Sequence, residues 1–531
     1  MIHLITLIFA VTCTLFSSLW ADVEIAPIFS NNMVLQREVS IPLRGTASKD
    51  GVIKIRFNGK ELTAKVSNLR WKVDLPPMPA GGSYDIVVKG SQNSLTLKNV
   101  TFGDIWLCAG QSNMDSAIET YKRKFPKLYE GHPVKKHDQI RIFRAARLPI
   151  DTPQEFITRE ERFDKGWYPI APQTRTRLFS ATGYFFGLYL ADAVDVPIGL
   201  IQSCRGGTPI TAWMPQGSLT ERSEYMPILE EFEQAVLDWP KNKIDYDRRV
   251  QEWETKKANG ERVGWRPEPP LGSPASNKRP YALHNGMIAP LYELPIKGVL
   301  WYQGEGNSRT REGCVQYELL LKDLVAHWRS NWRQPSMPFL VVQLPGFGKA
   351  APKPNSNHNW PWMRESQKKI DSIENCKTVC AIDSGMQNDI HPPYKENVGK
   401  RLAYAAQRMV YQQADAPQSP EYLTHTFKKE STLITFKNVQ NGLSATAPLL
   451  DDTSYEAGTV IGFTVMDSNG NYQRVNGAIV APNQVQINHK GIKRPESIRY
   501  GWDNFPNVNL FSKDGMPVFP FRTDTFSPFK K

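Results

Sequence analysis

The chain has 531 residues, of which 40% are hydrophobic and 22% charged, a balance that excludes a disordered or collagen-like protein. At this length about two to four domains are expected. The net charge of +12 is scattered without a basic block, so it describes a soluble surface biased toward anionic surroundings and gives no sign of a nucleic-acid-binding face.

Residues 1–21 form an apolar run ending in Ser18-Leu-Trp-Ala21. Their size and pattern are those of a secretory signal peptide, although the usual basic start is missing. Cys13 fits a lipoprotein site poorly. No later segment reaches ~18 uninterrupted apolar residues, so no transmembrane segment is expected. The mature protein is therefore read as exported, periplasmic or secreted, and starting near Asp22. Five cysteines follow: Cys108, Cys204, Cys314, Cys376 and Cys380. An odd count at irregular spacing is not a disulfide framework, and no zinc spacing occurs. Cys376 and Cys380 are close enough in sequence to pair, whereas Cys108 and Cys204 read as inert buried thiols.

Residues 22–101 alternate with period two. Gly51–Phe57, Asn58-Gly59 and Leu62–Val66 predict a hairpin on a type I′ turn. Trp71–Leu75 and Tyr84–Val88 continue the pattern, giving an N-terminal β-sandwich. From 102 to 414 apolar strands alternate with helical patterns. Strands are expected at 105–109, 198–203, 297–302, 339–344 and 379–382, and helices near 181–194, 315–332, 364–373 and 398–411. Such an α/β alternation predicts a parallel sheet with helices on both faces. Residues 217–282, rich in charge, Trp and Pro, read as an insertion: a charged helix followed by an extended stretch. A linker at 415–421 leads to a C-terminal β domain, 422–531, with strands near 433–436, 461–466, 478–480 and 485–487 and a turn at Asn469-Gly470.

Ligands of parallel sheets bind beyond the carboxyl ends of the strands, and the candidate motifs lie there. Gly110-Gln-Ser-Asn-Met114 puts Ser112 where a strand gives way to a helix. There its hydroxyl is held out of the sheet edge, beside free N–H groups of a first helical turn. Ser and Asn are also ordinary helix caps, so the serine alone proves little. A serine hydroxyl needs a base, an acid to orient that base, and donors for an oxyanion. Asn388-Asp-Ile-His-Pro392 offers His391 and Asp389, two residues apart. His284 and His327 read as packing or helix-surface residues, and His132 and His137 as exposed loop residues. Gly206-Gly207 can bring backbone N–H groups close to a substrate. Trp301-Tyr-Gln-Gly-Glu-Gly-Asn307 supplies Gln303 and Asn307, either of which can donate an amide N–H. Glu305 has no second carboxylate at a comparable strand end, so it reads as a hydrogen-bonding brace and not as half of a glycosidase pair.

These motifs, in this order and strand context, resemble the sialate O-acetylesterases, a branch of the SGNH hydrolases, and are similar to acetyl-xylan esterases. Ile25–Arg37 is similar to the opening of that family, and Ile498–Asn507 to its C-terminal signature. The resemblance implies an SGNH-type, flavodoxin-like parallel sheet flanked by N- and C-terminal β-sandwich domains. It also implies a serine carboxylic-ester hydrolase acting on an acetylated sugar or glycan, with no cofactor and no metal. Ser112 would be the nucleophile, His391 the general base and Asp389 its orienting acid. The Ser112 N–H, a glycine N–H from Gly206 or Gly207 and, by preference, Gln303 would bind the oxyanion. Many SGNH enzymes separate the Asp and His by two residues, whereas only Ile390 intervenes here, which leaves Asp383 as a weaker candidate. The Gly-x-Ser-x-Gly elbow is not met, because position 114 is Met. An acetyl-xylan or xyloglucan esterase and a non-catalytic carbohydrate-binding protein are the competing readings, and the oligomeric state is left open.

Overall fold

A computed structural model describes residues 22–130, 134–350, 354, 358–447, 455–492 and 494–527. The signal-peptide reading, Cys13 and His132 lie outside the described residues.

One strand organises the molecule. β1, Ser94–Gly110, is 17 residues long. Its first half pairs antiparallel with Gly81–Lys89 in the N-terminal β region. Its second half, buried on both faces, runs parallel to β2 (Ile198–Cys204) and β3 (Gly298–Tyr302). The expected boundary at 101/102 thus falls inside a continuous strand. Next to β3 come β4 (Phe339–Val342) and β5 (Cys376–Val379), also parallel. The spatial order β2-β1-β3-β4-β5 is the 2-1-3-4-5 order of flavodoxin-like doubly wound sheets, whose switch point lies beside β1. Two strands absent from the sequence reading extend this sheet. His137–Arg144 lies parallel to β2, and Tyr168–Ile170 antiparallel to it. His137 accordingly opens a strand and is not an exposed loop residue.

The helices that matter for the site and its sheet are, in chain order, α1 (Ser112–Asp115), α2 (Ala181–Ala191), α3 (Met226–Ala258), α4 (Arg311–Trp332), α5 (Trp360–Lys368) and α6 (Lys395–Met409). Helix α2 packs on α6, and α4 on α5. Around β3 and α4, Trp213, Trp301 and Trp328 meet edge to face, with centroids 6.1 and 5.7 Å apart, the geometry that aromatic quadrupoles favour. β5 and α6 each begin about three residues earlier than expected, and α5 four. Half of the charged insertion is α3, 33 residues with none buried.

In the N-terminal region the predicted hairpin forms, with Asn58 and Gly59 both at positive φ, 48° and 74°, as a type I′ turn requires. The C-terminal region is a seven-stranded antiparallel sheet with a separate two-stranded ribbon. The linker ends at Glu421, which opens a strand and pairs with Lys368 and Lys377, both at 2.9 Å. Cys376 and Cys380 are free, as are the other three described cysteines, so the pairing is not made.

Candidate active site

Gly110 ends β1 between Cys204 of β2 and Tyr302 of β3. Its φ is +127°, and a Cβ there would strike the Tyr302 carbonyl, so only glycine lets the chain leave the sheet at this point. Gln111 then occupies the cap position of α1 without capping it. Its side-chain oxygen instead accepts from Gln303 Nε2 and the Gly306 N–H, at 3.1 and 3.0 Å. Ser112 is the first helical residue, so the ordinary role of helix cap does not describe it. Among the described residues its hydroxyl makes no hydrogen bond, and the N–H groups of Ser112 and Gly206 donate to no backbone carbonyl. Gly206 lies against the serine, since a Cβ on it would sit 3.2 Å from the Ser112 Cβ.

The residue after the serine ties the site together. Asn113 Nδ2 donates to Glu305 Oε1 at 2.5 Å and to the Ile390 carbonyl at 3.0 Å, and its Oδ1 accepts from Lys395 Nζ at 2.5 Å. This draws the Asp389–His391 loop to the side of Ser112. Within that loop Asp389 Oδ1 accepts the backbone N–H of His391 at 2.9 Å, while His391 Nδ1 lies 3.9 Å from the same oxygen. The second oxygen, Oδ2, is ion-paired with Lys124. Partial burial pushes the Asp389 carboxyl up, but the bonds from Lys124 and the His391 N–H outweigh it and hold it below the ordinary range. His391 is depressed by burial first and then by the charge of Lys395, against a smaller opposing pull from Asp389. Asp383 is engaged elsewhere, gripped at 2.6 and 2.7 Å by Arg401.

Two buried titratable side chains, Glu305 and Lys395, meet at Asn113. Burial raises Glu305 above its usual range, and its Oε2 has no partner among the described residues. Burial brings Lys395 down to about 7, with Glu305 opposing. The Lys395 ammonium also lies 5.4 and 5.3 Å from the ring centroids of Tyr121 and Tyr302, a placement that offsets part of its lost hydration.

The two candidate amides differ. Gln303 is fully buried, and its nitrogen donates to Gln111, to the Thr208 carbonyl and to Asn307 Oδ1, at 3.0–3.1 Å. Asn307 is half-buried, and its oxygen is anchored by Gln303 and by the Ile210 N–H at 2.9 Å. That leaves the Asn307 Nδ2 group without a partner among the described residues. Gly207, at φ +72°, turns the loop beside Glu268 of the insertion. His284 is a packed histidine bonded to Tyr292, and His327 pairs with Glu221 on a helix surface, as expected of both.

Sequence reasoning quoted Asn113 without a role and missed Lys395. A lone lysine at a helix start reads as solvated, and only the tertiary packing shows it buried. Among the described residues no cluster of His, Cys, Asp or Glu could hold a metal ion, and no helix is long and apolar enough to cross a membrane.

Comparison with known proteins places the chain in a family. The family model described as carbohydrate esterase, sialic acid-specific acetylesterase matches residues 102–245 and 276–408, more than half of the chain. The unmatched gap falls within the insertion. The chain is 28% identical over 420 residues to a sialate O-acetylesterase of Rattus norvegicus, covering 73% of each. It is 26% identical over 453 residues to that of Homo sapiens, covering 77% of each. The crystal structure of a carbohydrate acetylesterase from Xanthomonas citri superposes with a TM-score of 0.75 at 28% identity, covering 95% of this chain and all of that one. The motifs that meet around Ser112 lie inside the matched segments, and the chain belongs to the sialic acid-specific acetylesterase family of carbohydrate esterases.

Proposed function

We infer that the protein is a carbohydrate O-acetylesterase of SGNH type that works through an acyl-serine on Ser112. The observation that carries this reading is the Asn113 clamp, which holds the Asp389–His391 loop beside a serine whose hydroxyl is otherwise unengaged. Ser112 Oγ attacks the acetyl carbonyl carbon while His391 takes the hydroxyl proton. The N–H groups of Ser112 and Gly206 and the free amide of Asn307 donate to the tetrahedral oxyanion. Gln303, with its own nitrogen occupied, holds Asn307 and Gln111 in place; the expected preference between the two amides is thus reversed. Collapse of the intermediate expels the sugar oxygen, which takes the proton from His391. Water then attacks the acetyl-serine, again giving a proton to His391, and acetate leaves with Ser112 restored.

The 3.9 Å between His391 and Asp389 is about 1 Å longer than a hydrogen bond. Catalytic bonds commonly tighten only when substrate binds, and the orienting role of Asp389 requires that closure. Residues 1–21 read as the export signal, giving a periplasmic or secreted enzyme. Acetylated xylan or xyloglucan would be cleaved by the same chemistry, and acetate release from acetylated sialate and from those polymers separates the two. Ser112→Ala should lower turnover of p-nitrophenyl acetate by on the order of 10⁴ or more, with an unchanged circular dichroism spectrum. Retention of activity by the folded variant refutes the mechanism, whereas failure of an organophosphate to label Ser112 in the wild type, alongside tight glycan binding, favours a carbohydrate-binding protein.

A further inference from the structure

The short helix that carries Ser112 stands among guanidinium groups. Asp115, at the end of that helix, is held by Arg144 at 3.3 Å and by Arg147 at 2.7 Å. Arg144 also pairs with Glu160 at 3.2 Å. Arg205 belongs to the same cluster but differs from its neighbours. Its backbone N–H is fixed to the Gly110 carbonyl at 3.0 Å, so it sits where the Gly206 loop leaves β2. Among the described residues its side chain forms no ion pair and no hydrogen bond, and its Nε is buried without a partner. The carboxylates whose charges reach it are Asp115 and Glu268. Asp115 is already committed to Arg144 and Arg147. Glu268 pairs with Lys278 at 2.7 Å.

A buried donor left unmet is uncommon, and a cationic fork with no carboxylate of its own matches a planar, two-oxygen anion. The position matters as much as the chemistry. Arg205 is the immediate neighbour of Gly206, which lies against Ser112, and Glu268, whose charge it feels, stands over Gly207. Arg205 thus sits on the loop whose next residue lies against Ser112.

We propose that Arg205, with Arg147 beside it, forms the subsite that receives the carboxylate of an acidic acetylated sugar. The proposal rests on the acyl-serine reading of Ser112 and adds to it a selection for charge. An O-acetylated sialate and an O-acetylated uronate both supply the anion, and they differ in the distance from carboxylate to acetyl group.

The test compares each acetylated acidic sugar with its own methyl ester, which removes the charge and little else. For the wild type, kcat/KM should favour the free acid over the methyl ester by ~10–100-fold, mostly through KM. In Arg205→Ala that preference should collapse toward one, and Arg205→Lys should restore part of it. Whichever acid shows the larger collapse identifies the source of the carboxylate. A wild type indifferent to methylation overturns the proposal, as does an Arg205→Ala enzyme that keeps the full preference. Calorimetry on Ser112→Ala provides a readout independent of the chemistry. The deacetylated acid should bind more weakly once Arg205→Ala is added, and equal binding by the two proteins overturns the subsite whatever Ser112 does. Persistent turnover in Ser112→Ala with charge selectivity intact would instead count against the acyl-serine reading alone.

Discussion

Asn113 and Asn307 show how much of the site depends on which atom of an amide is already engaged. Asn113 spends both ends of its side chain on neighbours, joining Glu305, Lys395 and the Ile390 carbonyl. Asn307 spends only its oxygen, and the nitrogen that remains is the donor an oxyanion requires. Asn307→Ala should therefore lower kcat for p-nitrophenyl acetate by roughly 10²–10³, with KM and melting temperature little changed. A fall in KM-controlled steps alone, or none at all, would remove Asn307 from the oxyanion site. Ser112, Gly206, Asp389 and His391 stood out in the sequence because each follows the end of an apolar strand pattern. Which of Gln303 and Asn307 keeps a free N–H was not legible there, since that depends on contacts with Gln111 and Thr208 from distant segments.

Helix α6 sets the protonation of the site from its first residue. His391 sits below its ordinary value through burial and then through Lys395, which favours the neutral ring that the proposed base requires. Lys395 titrates at about 7 and is therefore charged in the acid range where His391 titrates. Lys395→Met removes that charge, and the acid limb of the kcat/KM profile should move to higher pH. A limb that stays put or moves to lower pH would show that Lys395 does not act on His391. The same lysine makes a stability prediction. Its folded pKa of about 7 lies below the unfolded value of 10.5, so between these two pH values the unfolded chain binds the extra proton and stability rises with pH. Urea midpoints should rise from pH 7 to 9 more steeply in the wild type than in Lys395→Met, and parallel slopes would contradict the burial of a titrating ammonium. Element prediction failed where charge disguised a strand. His137–Arg144 carries Arg141 and Arg144 at buried positions, and Arg144 is tolerated there because Asp115 and Glu160 neutralise it.

At the scale of the whole molecule, β1 pairs at its start with the N-terminal β region and at its end with the parallel sheet, so one strand joins the two. At the junction Asp104 is fully buried and accepts from Gln36 at 2.8 Å, from Arg37 at 3.0 Å and from the Tyr411 hydroxyl at 2.9 Å. It links the opening motif, the sheet and the chain just beyond α6. Asp104→Ala leaves Arg37 facing a void and should cost about 3–5 kcal/mol, read as a lower midpoint of urea unfolding. A loss below about 1 kcal/mol would mean that the junction is held by packing alone. The C-terminal sheet is fastened comparably. Buried Arg364 of α5 donates to the carbonyls of Asp503 and Asn504 at 2.6 and 2.7 Å, so the turn that follows the strand Ser497–Tyr500 is held against α5. Parallel strands were readable because burial on both faces makes them continuous apolar runs. The expected boundary at 101/102 lies within β1, because nothing in local composition distinguishes one long strand from two short ones.

The central claim is that an acetyl group passes through Ser112. Rapid mixing with an acetylated sugar, acid quenching within the first turnovers and peptide mapping by mass spectrometry test this most directly. The account predicts acetyl on the peptide containing Ser112, at a single hydroxyl, lost with the rate constant of the second step and accumulating further in His391→Ala if acylation still occurs there. Acetate release at full rate with Ser112 unmodified at every quench time, and equally fast release by Ser112→Ala, would contradict it.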